Sequence, residues 1–235
     1  MAVLSWDNIG DRRFETGIDR CVLYLANISN NVVSYPKGVA WSGITSISES
    51  PDGADAEDFY ADNIKYLSLR GAENFGGSIS AYTYPDEWGV CDGSAKFGES
   101  VLPGVVLHQQ KRNTFGLSYR TIEGNDIDGE AGYLYHLVYG ATASPSEREY
   151  GTVNDSPEPI EFSWDFDTTP VPVTGFESTL KPTSHITIYS RLLTPAQKTA
   201  LENALWGTAG TGTDPGTDAY LPLPGSLYTL LTSAT

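Results

Sequence analysis

The sequence predicts an all-β fold with one flanking α-helix. Several runs alternate apolar and polar residues or concentrate β-branched and aromatic ones, as strands do. Turn residues are abundant, with 24 Gly and 14 Pro among 235 residues, and only one segment has a helical pattern. A chain of this length buries a sizeable core unaided. We therefore expect one β domain over residues 1–206, with its helix near 195–206, and an extended C-terminal tail over 207–235.

Charge and composition exclude several classes of protein. The chain has 30 acidic against 14 basic residues, a net charge of −16, which repels phosphate and disfavours tight nucleic-acid binding, although acidity also serves plain solubility. Cys21 and Cys91 form no CxxC motif, so we expect reduced thiols. We see no export signal at the N-terminus and no apolar run of about 18 residues, so we expect a cytoplasmic protein without membrane spans.

The first strand is predicted at residues 21–26, CVLYLA. Its residues are apolar on both faces, so both faces must be covered. Residues 27–38 are predicted to form a turn. Val39, Trp41 and Ile47 then share one side of an alternating run that ends at an acidic loop.

The acidic loop covers residues 48–60. Four of its carboxylates, those of Asp52, Asp55, Glu57 and Asp58, fall within seven positions. A calcium loop of the EF-hand type needs oxygen ligands at alternate positions, but Ala54 and Ala56 occupy two of them. The segment at 124–130, GNDIDGE, fails the same spacing. We predict solvated turns at both places rather than calcium sites.

The middle of the chain contains further strand patterns. Strands are predicted at 62–69 and at 78–84, where Tyr82 and Tyr84 point the same way. Such a tyrosine pair indicates ordinary packing more often than a ligand platform. A hairpin is predicted between two runs, VVLHQQ and TFGLSYRTI, and the following run, AGYLYHLVYGA, is apolar on both faces.

The clearest strand follows at PIEFSWDFDTTP. Ile160, Phe162, Trp164 and Phe166 alternate there with Glu161, Ser163, Asp165 and Asp167. The apolar set is expected to face the core, which leaves the carboxylates on the open face. HITIYS (185–190) is the last predicted strand. The helix begins with Thr194, Pro195 and Gln197, a capping-box pattern, and Gly207 ends it.

No local motif for catalysis is present. The chain lacks the nucleophile-elbow, zinc-protease and phosphate-loop signatures, and its only histidines, His108, His136 and His185, lie in separate strand patterns. We therefore predict no catalytic, cofactor or metal site. Glu161 and Asp165 could form a glycosidase pair, but four strand residues separate them by about 13 Å, too far even for an inverting enzyme.

A series of segments is similar to a known family. They are RFETGIDRCVLY, KGVAWSGITSISESPDGAD, YADNIKYLSL, AYTYPDEW, KRNTFGLSYRT with GNDIDG, HLVYGATASPSEREYGTVNDSPEPIEFSW and TTPVPVTG. Together, and in this order from about residue 5 to 190, they resemble the major tail proteins of siphophages, also called tail tube proteins. Residues 191–235 match more loosely, and Cys21 stands where a smaller residue is expected.

The resemblance implies a β-sandwich or half-barrel of the tail tube type and a structural, non-enzymatic role. Six copies would close into a ring, and rings would stack into a tube around a tape measure protein. The genome would pass through without specific binding. The expected partners are copies of the chain and other tail proteins, without a cofactor or small-molecule ligand, and the expected location is the virion after assembly in the host cytoplasm.

Two groups of residues are candidates for roles in such a tube. The candidates for contacts between subunits are Asp52, Asp55, Glu57, Phe59, Tyr60, Tyr82 and Tyr84. Glu161, Asp165 and Asp167 are candidates for the lumen wall, and plain exposure on the outer surface is the alternative. A second function stays open: a carbohydrate-binding β-sandwich, such as a receptor-binding tail component, that uses Tyr82, Tyr84 and Trp88.

Overall fold

A computed structural model describes residues 4–30, 32–53, 55–98, 102, 104–152, 158–175, 180–211 and 215–234. The strands are β1 (Phe14–Leu25), β2 (Asn27–Ser29), β3 (Val32–Ser34), β4 (Gly38–Ala40), β5 (Ile44–Asp52), β6 (Glu57–Ala61), β7 (Ile64–Leu69), β8 (Asn74–Ala81), β9 (Ala95–Lys96), β10 (Val106–Leu107), β11 (Phe115–Gly124), β12 (Gly132–Ala143), β13 (Phe162–Thr168) and β14 (His185–Tyr189). The helices are α1 (Gly89–Asp92), α2 (Pro195–Trp206) and α3 (Pro224–Ser233), with 3-10 turns at Asp86–Trp88 and Ser190–Leu192. None of the described helices is long and apolar enough to cross a bilayer.

One antiparallel sheet organises the fold, with strand order β4-β1-β11-β12-β13-β8-β5. It forks at β12, where Leu134–Val138 pair with β14 and Ala141–Ala143 pair with β13. Gly140 lies at the fork with φ of +62°, and a Cβ there would lie 2.1 Å from the Thr169 carbonyl oxygen, so only glycine fits. The far strand, β5, returns beside β1, which curls the sheet into a half-barrel.

The concave side of the curled sheet encloses an aromatic core. Trp41 lies 4.6 Å from Trp88 and 5.7 Å from Trp164, measured between ring centroids. Leu23 of β1 and Leu117 of β11 complete the core from the opposite wall, and both are fully buried. Strands from both ends of the sheet therefore share one interior.

A second core lies between the convex side of the sheet and the helices. Tyr24 and Leu137 pack there against Leu201 and Leu205 of α2 and Leu227 of α3. Residues 21–24 of β1 and most of β12 are consequently buried on both faces, as their sequences predicted. The all-β fold with a flanking helix is confirmed.

Helix α2 begins and ends as predicted. The Thr194 side chain accepts a hydrogen bond from the Gln197 backbone N–H, the Gln197 side chain accepts one from the Thr194 N–H, and Gly207 is the C-cap. The predicted division at residue 207 stays a prediction. Within 207–235 the structure contains helix α3, and the Ala219 carbonyl accepts a hydrogen bond from Gly38 N–H.

The pairing of several segments differs from the sequence predictions. The predicted hairpin between 105–110 and 114–122 is wrong, because β10 pairs with β9 and β11 pairs with β1 and β12. Both edges of β11 are paired by long strands, so no edge is left for the two-residue β10. The predicted turn at 27–38 contains a small hairpin, β2–β3.

Candidate functional site

A hairpin formed by β6 and β7 projects from the half-barrel between β5 and β8. Among the described residues, β6 and β7 pair with each other and with no other strand. Its turn residues, Asp62 and Asn63, both have positive φ, 52° and 62°, as the tight I′ turn of a two-residue hairpin requires. Every residue of both strands is exposed.

The hairpin carries large apolar side chains into solvent. Tyr60 and Tyr66 are 71% and 69% exposed. Phe59 lies directly opposite Leu67, with Leu69 next along the same face, and all three are exposed as well. An isolated two-stranded hairpin is marginal in water, and a contiguous exposed apolar patch marks an interaction site. This hairpin is therefore a candidate assembly surface.

The predicted contact residues fall into two groups. Asp52 ends β5, Asp55 follows it, and Glu57, Phe59 and Tyr60 lie in β6, all exposed. The prediction of a continuous loop over 48–60 is wrong, because β5 runs to Asp52 and β6 starts at Glu57. The acidic residues obscure the strand pattern in the sequence. Because the β6–β7 hairpin does not pair with the main sheet, neither of its faces needs to be apolar throughout.

Tyr82 and Tyr84 lie at the other end of β8, beyond its last residue, so they do not share a strand face as predicted. Gly43, with φ of +82°, accepts a hydrogen bond from Tyr82 N–H, and the chain leaves the sheet there. Tyr82 is half exposed. The Tyr84 ring packs edge-on against Trp164 at 5.4 Å between centroids. The two candidate groups thus occupy opposite ends of the sheet.

The outer face of β13, β8 and β5 is polar and made of small residues. Three rows of directly paired residues cross β13, β8 and β5 on this face, in that order. They are Ser163, Ser80 and Ser46; Asp165, Ser78 and Ser48; and Asp167, Gly76 and Ser50. We call these nine residues the serine–aspartate face. The side chains that alternate with them, such as Trp164 and Ile79, are buried in the concave core. Asp165 and Asp167 are exposed, as is Glu161, which accepts a hydrogen bond from Thr45.

A polar cluster closes one end of the concave core. Glu49 on β5, His136 on β12 and His185 on β14 meet there. The Glu49 Oε1 atom lies 3.4 Å from His136 Nδ1 and 3.6 Å from His185 Nε2, and it accepts a 2.5 Å hydrogen bond from the Tyr119 hydroxyl. His136, with the Tyr119 hydroxyl, lowers the pKa of Glu49 to about 2. Burial lowers the pKa of His185.

The sequence analysis missed this cluster. The three residues come from three strands that are remote along the chain, so no spacing motif joins them. One signal was available: His136 lies in a run that was predicted to be buried on both faces. A buried histidine needs polar neighbours, and two acidic residues reach it: Glu49, in a strand otherwise rich in serine, and Glu15 of β1.

Comparisons with known proteins give distant likenesses. No protein-family model matches the chain, and no curated protein matches it. Among solved structures, it is similar to the tube-terminating cap of the anti-feeding prophage, at 9% identity over 81% of this chain and 97% of that one, with a TM-score of 0.36. It is also similar to the sheath/tube terminator of an extracellular contractile injection system, at 5% identity over 71% of this chain and 96% of that one, with a TM-score of 0.32. At such identities and TM-scores the likenesses carry no weight for function.

Proposed function

We propose that the chain is a structural subunit of a phage-tail-type tube and that it forms the tube by assembling with copies of itself. The observation that carries this proposal is the β6–β7 hairpin, whose apolar side chains have no cover within the described chain. Burying them on a neighbouring subunit would offset the cost of ordering the hairpin. The resemblance to siphophage major tail proteins supports the same role.

The contact of the hairpin with a neighbour would be of the head-to-tail kind. A head-to-tail contact joins one surface to a different one, and it builds closed rings or open filaments. The hairpin lies at one end of β8, and Tyr82 lies at the other. A subunit with contact surfaces at both ends suits stacking in both directions. Six subunits per ring, and a tape measure protein within the tube, follow from the resemblance and belong to the proposal.

The serine–aspartate face suits the wall of the lumen. Its side chains are short, so they leave the bore open, and its carboxylates repel phosphate. A basic wall would release counterions from DNA and hold it, whereas an acidic wall does not. We propose that Asp165 and Asp167, with Glu161 beside them, face passing DNA without binding it specifically. The chain would have no catalytic role and would reside in the virion.

Electron microscopy of the purified protein, at increasing concentration, tests this function. The expected result is tubes of indefinite length. The decisive variant replaces Phe59 and Leu67 with serine in the hairpin, and it should stay folded without forming tubes. The matched control replaces Ile28 and Val32 with serine in the β2–β3 hairpin, which also exposes apolar side chains.

Three outcomes of this experiment would contradict the proposal. A wild-type protein that stays monomeric at high concentration would remove the tube function. Single rings that never stack would indicate a terminator rather than a tube subunit. Tubes that form equally well from the hairpin variant would show that the hairpin is not the contact.

The alternative function, a carbohydrate-binding module, depends on three aromatic residues, and two of them are poorly placed to bind a sugar. Trp88 is fully buried and lies 5.0 Å from the Phe115 ring centroid, so it cannot stack on a sugar. Tyr84 packs its ring against Trp164 and Phe162. Of the three aromatic residues proposed for sugar binding, only Tyr82 is as much as half exposed. A glycan-binding screen of the wild-type protein should therefore be negative.

A further inference from the structure

The cluster at Glu49, His136 and His185 has the composition of a metal centre. One ligand atom from each side chain can be chosen so that all three lie within 4.8 Å of one another. In a tetrahedral site with ligands about 2.0–2.1 Å from zinc, neighbouring ligand atoms are about 3.3–3.4 Å apart. The observed separations from Glu49 Oε1, 3.4 Å to His136 Nδ1 and 3.6 Å to His185 Nε2, are close to that value.

The two histidine nitrogens that face Glu49 lack a well-formed hydrogen bond. His136 Nδ1 and His185 Nε2 are buried and make no well-formed hydrogen bond among the described residues, although each lies within ion-pair distance of Glu49 Oε1. His136 is 93% buried, given its 7% exposure. A buried polar atom without a partner is costly and therefore rare. A metal ion between these nitrogens and the carboxylate would satisfy both of them.

The Nε2 side of the His136 ring has the kind of polar neighbours that metal-bound histidines have. Its Nε2 atom lies 3.1 Å from Thr121 Oγ1 and 3.3 Å from a carboxylate oxygen of Glu15. A metal-ligating histidine almost always donates its second ring N–H to a carboxylate, carbonyl or water, which fixes the tautomer. A proton on Nε2, held by Glu15, leaves the Nδ1 lone pair free to bind metal.

Ring stacking holds the histidines in place. Tyr119 stacks on His136 at 4.7 Å and an interplanar angle of 4°. The His136 and His185 rings are nearly parallel, at 7° with centroids 5.6 Å apart, and His185 stacks on Phe75 at 4.8 Å. Each histidine ring thus packs against an aromatic ring from another segment, Tyr119 for His136 and Phe75 for His185. This packing limits the movement of both ligands before any ion arrives, which is the preorganisation that a site needs.

We propose that Glu49, His136 and His185 bind one divalent transition-metal ion of the zinc class, with a solvent molecule as the fourth ligand. Two imidazoles and one carboxylate favour such ions over magnesium or calcium, which prefer oxygen ligands. A cleft of about 570 Å³, lined by Glu15, Glu49 and His136 among others, gives solvent and the ion a route to the site. The inference rests on the cluster alone and does not depend on the tube function.

The bound ion would join distant parts of the sheet. Glu49 lies on β5, the last strand of the sheet, whereas His136 and His185 lie on β12 and β14 across the concave core. An ion that links these strands would fix the curl of the half-barrel. It would also hold β5 close to the point where the β6–β7 hairpin leaves the sheet. The expected role of the metal is therefore structural.

Zinc titration of untagged, chelator-treated protein by calorimetry tests the site. We expect one zinc per chain, a rise in melting temperature on zinc addition, and no binding of magnesium. Glu49→Gln keeps the size of the side chain, and His185→Gln removes a partly exposed ligand. Each should weaken zinc binding by more than tenfold. His108→Gln alters the histidine outside the cluster and should leave affinity and stoichiometry unchanged.

Two further measurements keep the test decisive if a variant folds poorly. Glu15→Gln leaves all three ligands in place and should weaken binding by about 10- to 100-fold. Cobalt bound to the wild-type protein should give the visible spectrum of a tetrahedral site without thiolate charge transfer. An absence of saturable binding at micromolar zinc, thiolate charge transfer with cobalt, or unchanged binding in both Glu49→Gln and Glu15→Gln would overturn the proposal.

Discussion

The centre of the sheet and the β6–β7 hairpin are built from similar residues but differ completely in burial. In β12, Leu137 and Tyr139 are fully buried beneath the helices. In the hairpin, Tyr60 and Tyr66 are about 70% exposed. Both regions are antiparallel, and both are rich in tyrosine and aliphatic side chains. The difference is that the chain supplies a cover for the first region and none for the second.

This difference separates two sources of stability. The apolar residues of the centre stabilise the folded subunit, because they leave water when the chain folds. Those of the hairpin can stabilise only an assembly, because they stay in water until a partner arrives. Substitutions in the two regions should therefore have different effects on folding and on association.

Hydrogen exchange should show the largest difference between the regions. In the unassembled subunit, amides of the hairpin are expected to open locally at little cost, whereas amides in the centre of β12 open only with global unfolding. Since global stabilities are about 5 kcal/mol or more, β12 amides should exchange at least about a thousandfold more slowly. Assembly should raise protection in the hairpin and leave β12 unchanged. Equal protection in the free subunit would contradict the comparison.

Truncation of a leucine should lower the free energy of unfolding strongly in the centre of the sheet and hardly at all in the hairpin. Leu137→Ala removes a fully buried side chain from the core beneath the helices, so we expect a loss of about 2–5 kcal/mol in the free energy of unfolding. Leu67→Ala, its matched control in the hairpin, should change it by less than about 0.5 kcal/mol. Denaturant unfolding of the unassembled protein measures both. Similar losses would show that the hairpin packs within the subunit.

A tyrosine hydroxyl offers a smaller test of the same contrast. Tyr24 donates a 2.7 Å hydrogen bond to the Leu205 carbonyl of α2, and its oxygen lies 3.0 Å from Ser118 Oγ. Tyr24→Phe leaves these buried groups without a partner and should cost about 1–3 kcal/mol. Tyr60→Phe, in the hairpin, should cost less than about 0.5 kcal/mol. A neutral result at Tyr24 would show that water replaces its hydroxyl.

Local sequence patterns predicted several strands and helix α2 well, but they predicted poorly which strands pair. The capping box at Thr194 and the alternation from Phe162 to Phe166 each depend on a few adjacent residues, and both are confirmed. The pairing of β11 with β1 was not predictable in this way, since it depends on residues about a hundred positions away. Helix α3 was missed because its N-cap, Leu223, makes no side-chain cap. The cluster of Glu49, His136 and His185 was missed because its residues, like those of the β11–β1 pairing, lie far apart in the sequence.

Charge reversal on the serine–aspartate face should have the smallest effect on folding and a specific effect on DNA. Asp165 and Asp167 are exposed, so their replacement by lysine should change the free energy of unfolding by less than about 0.5 kcal/mol and leave tube length unaltered. Lysines in a lumen would contact phosphates and release counterions, so the variant tubes should retain short duplex DNA at low salt and lose it as salt rises. Wild-type tubes should retain none.

Co-sedimentation of tubes with labelled DNA measures this retention. Glu147→Lys with Glu149→Lys makes the same change in net charge at exposed positions outside the serine–aspartate face, so it serves as the matched control. If both pairs of reversals retain DNA equally, the effect comes from net charge alone. In that case the retention gives no support to a lumen position for the serine–aspartate face, because a lumen wall surrounds the duplex and must hold it more strongly than a convex surface that touches it from one side.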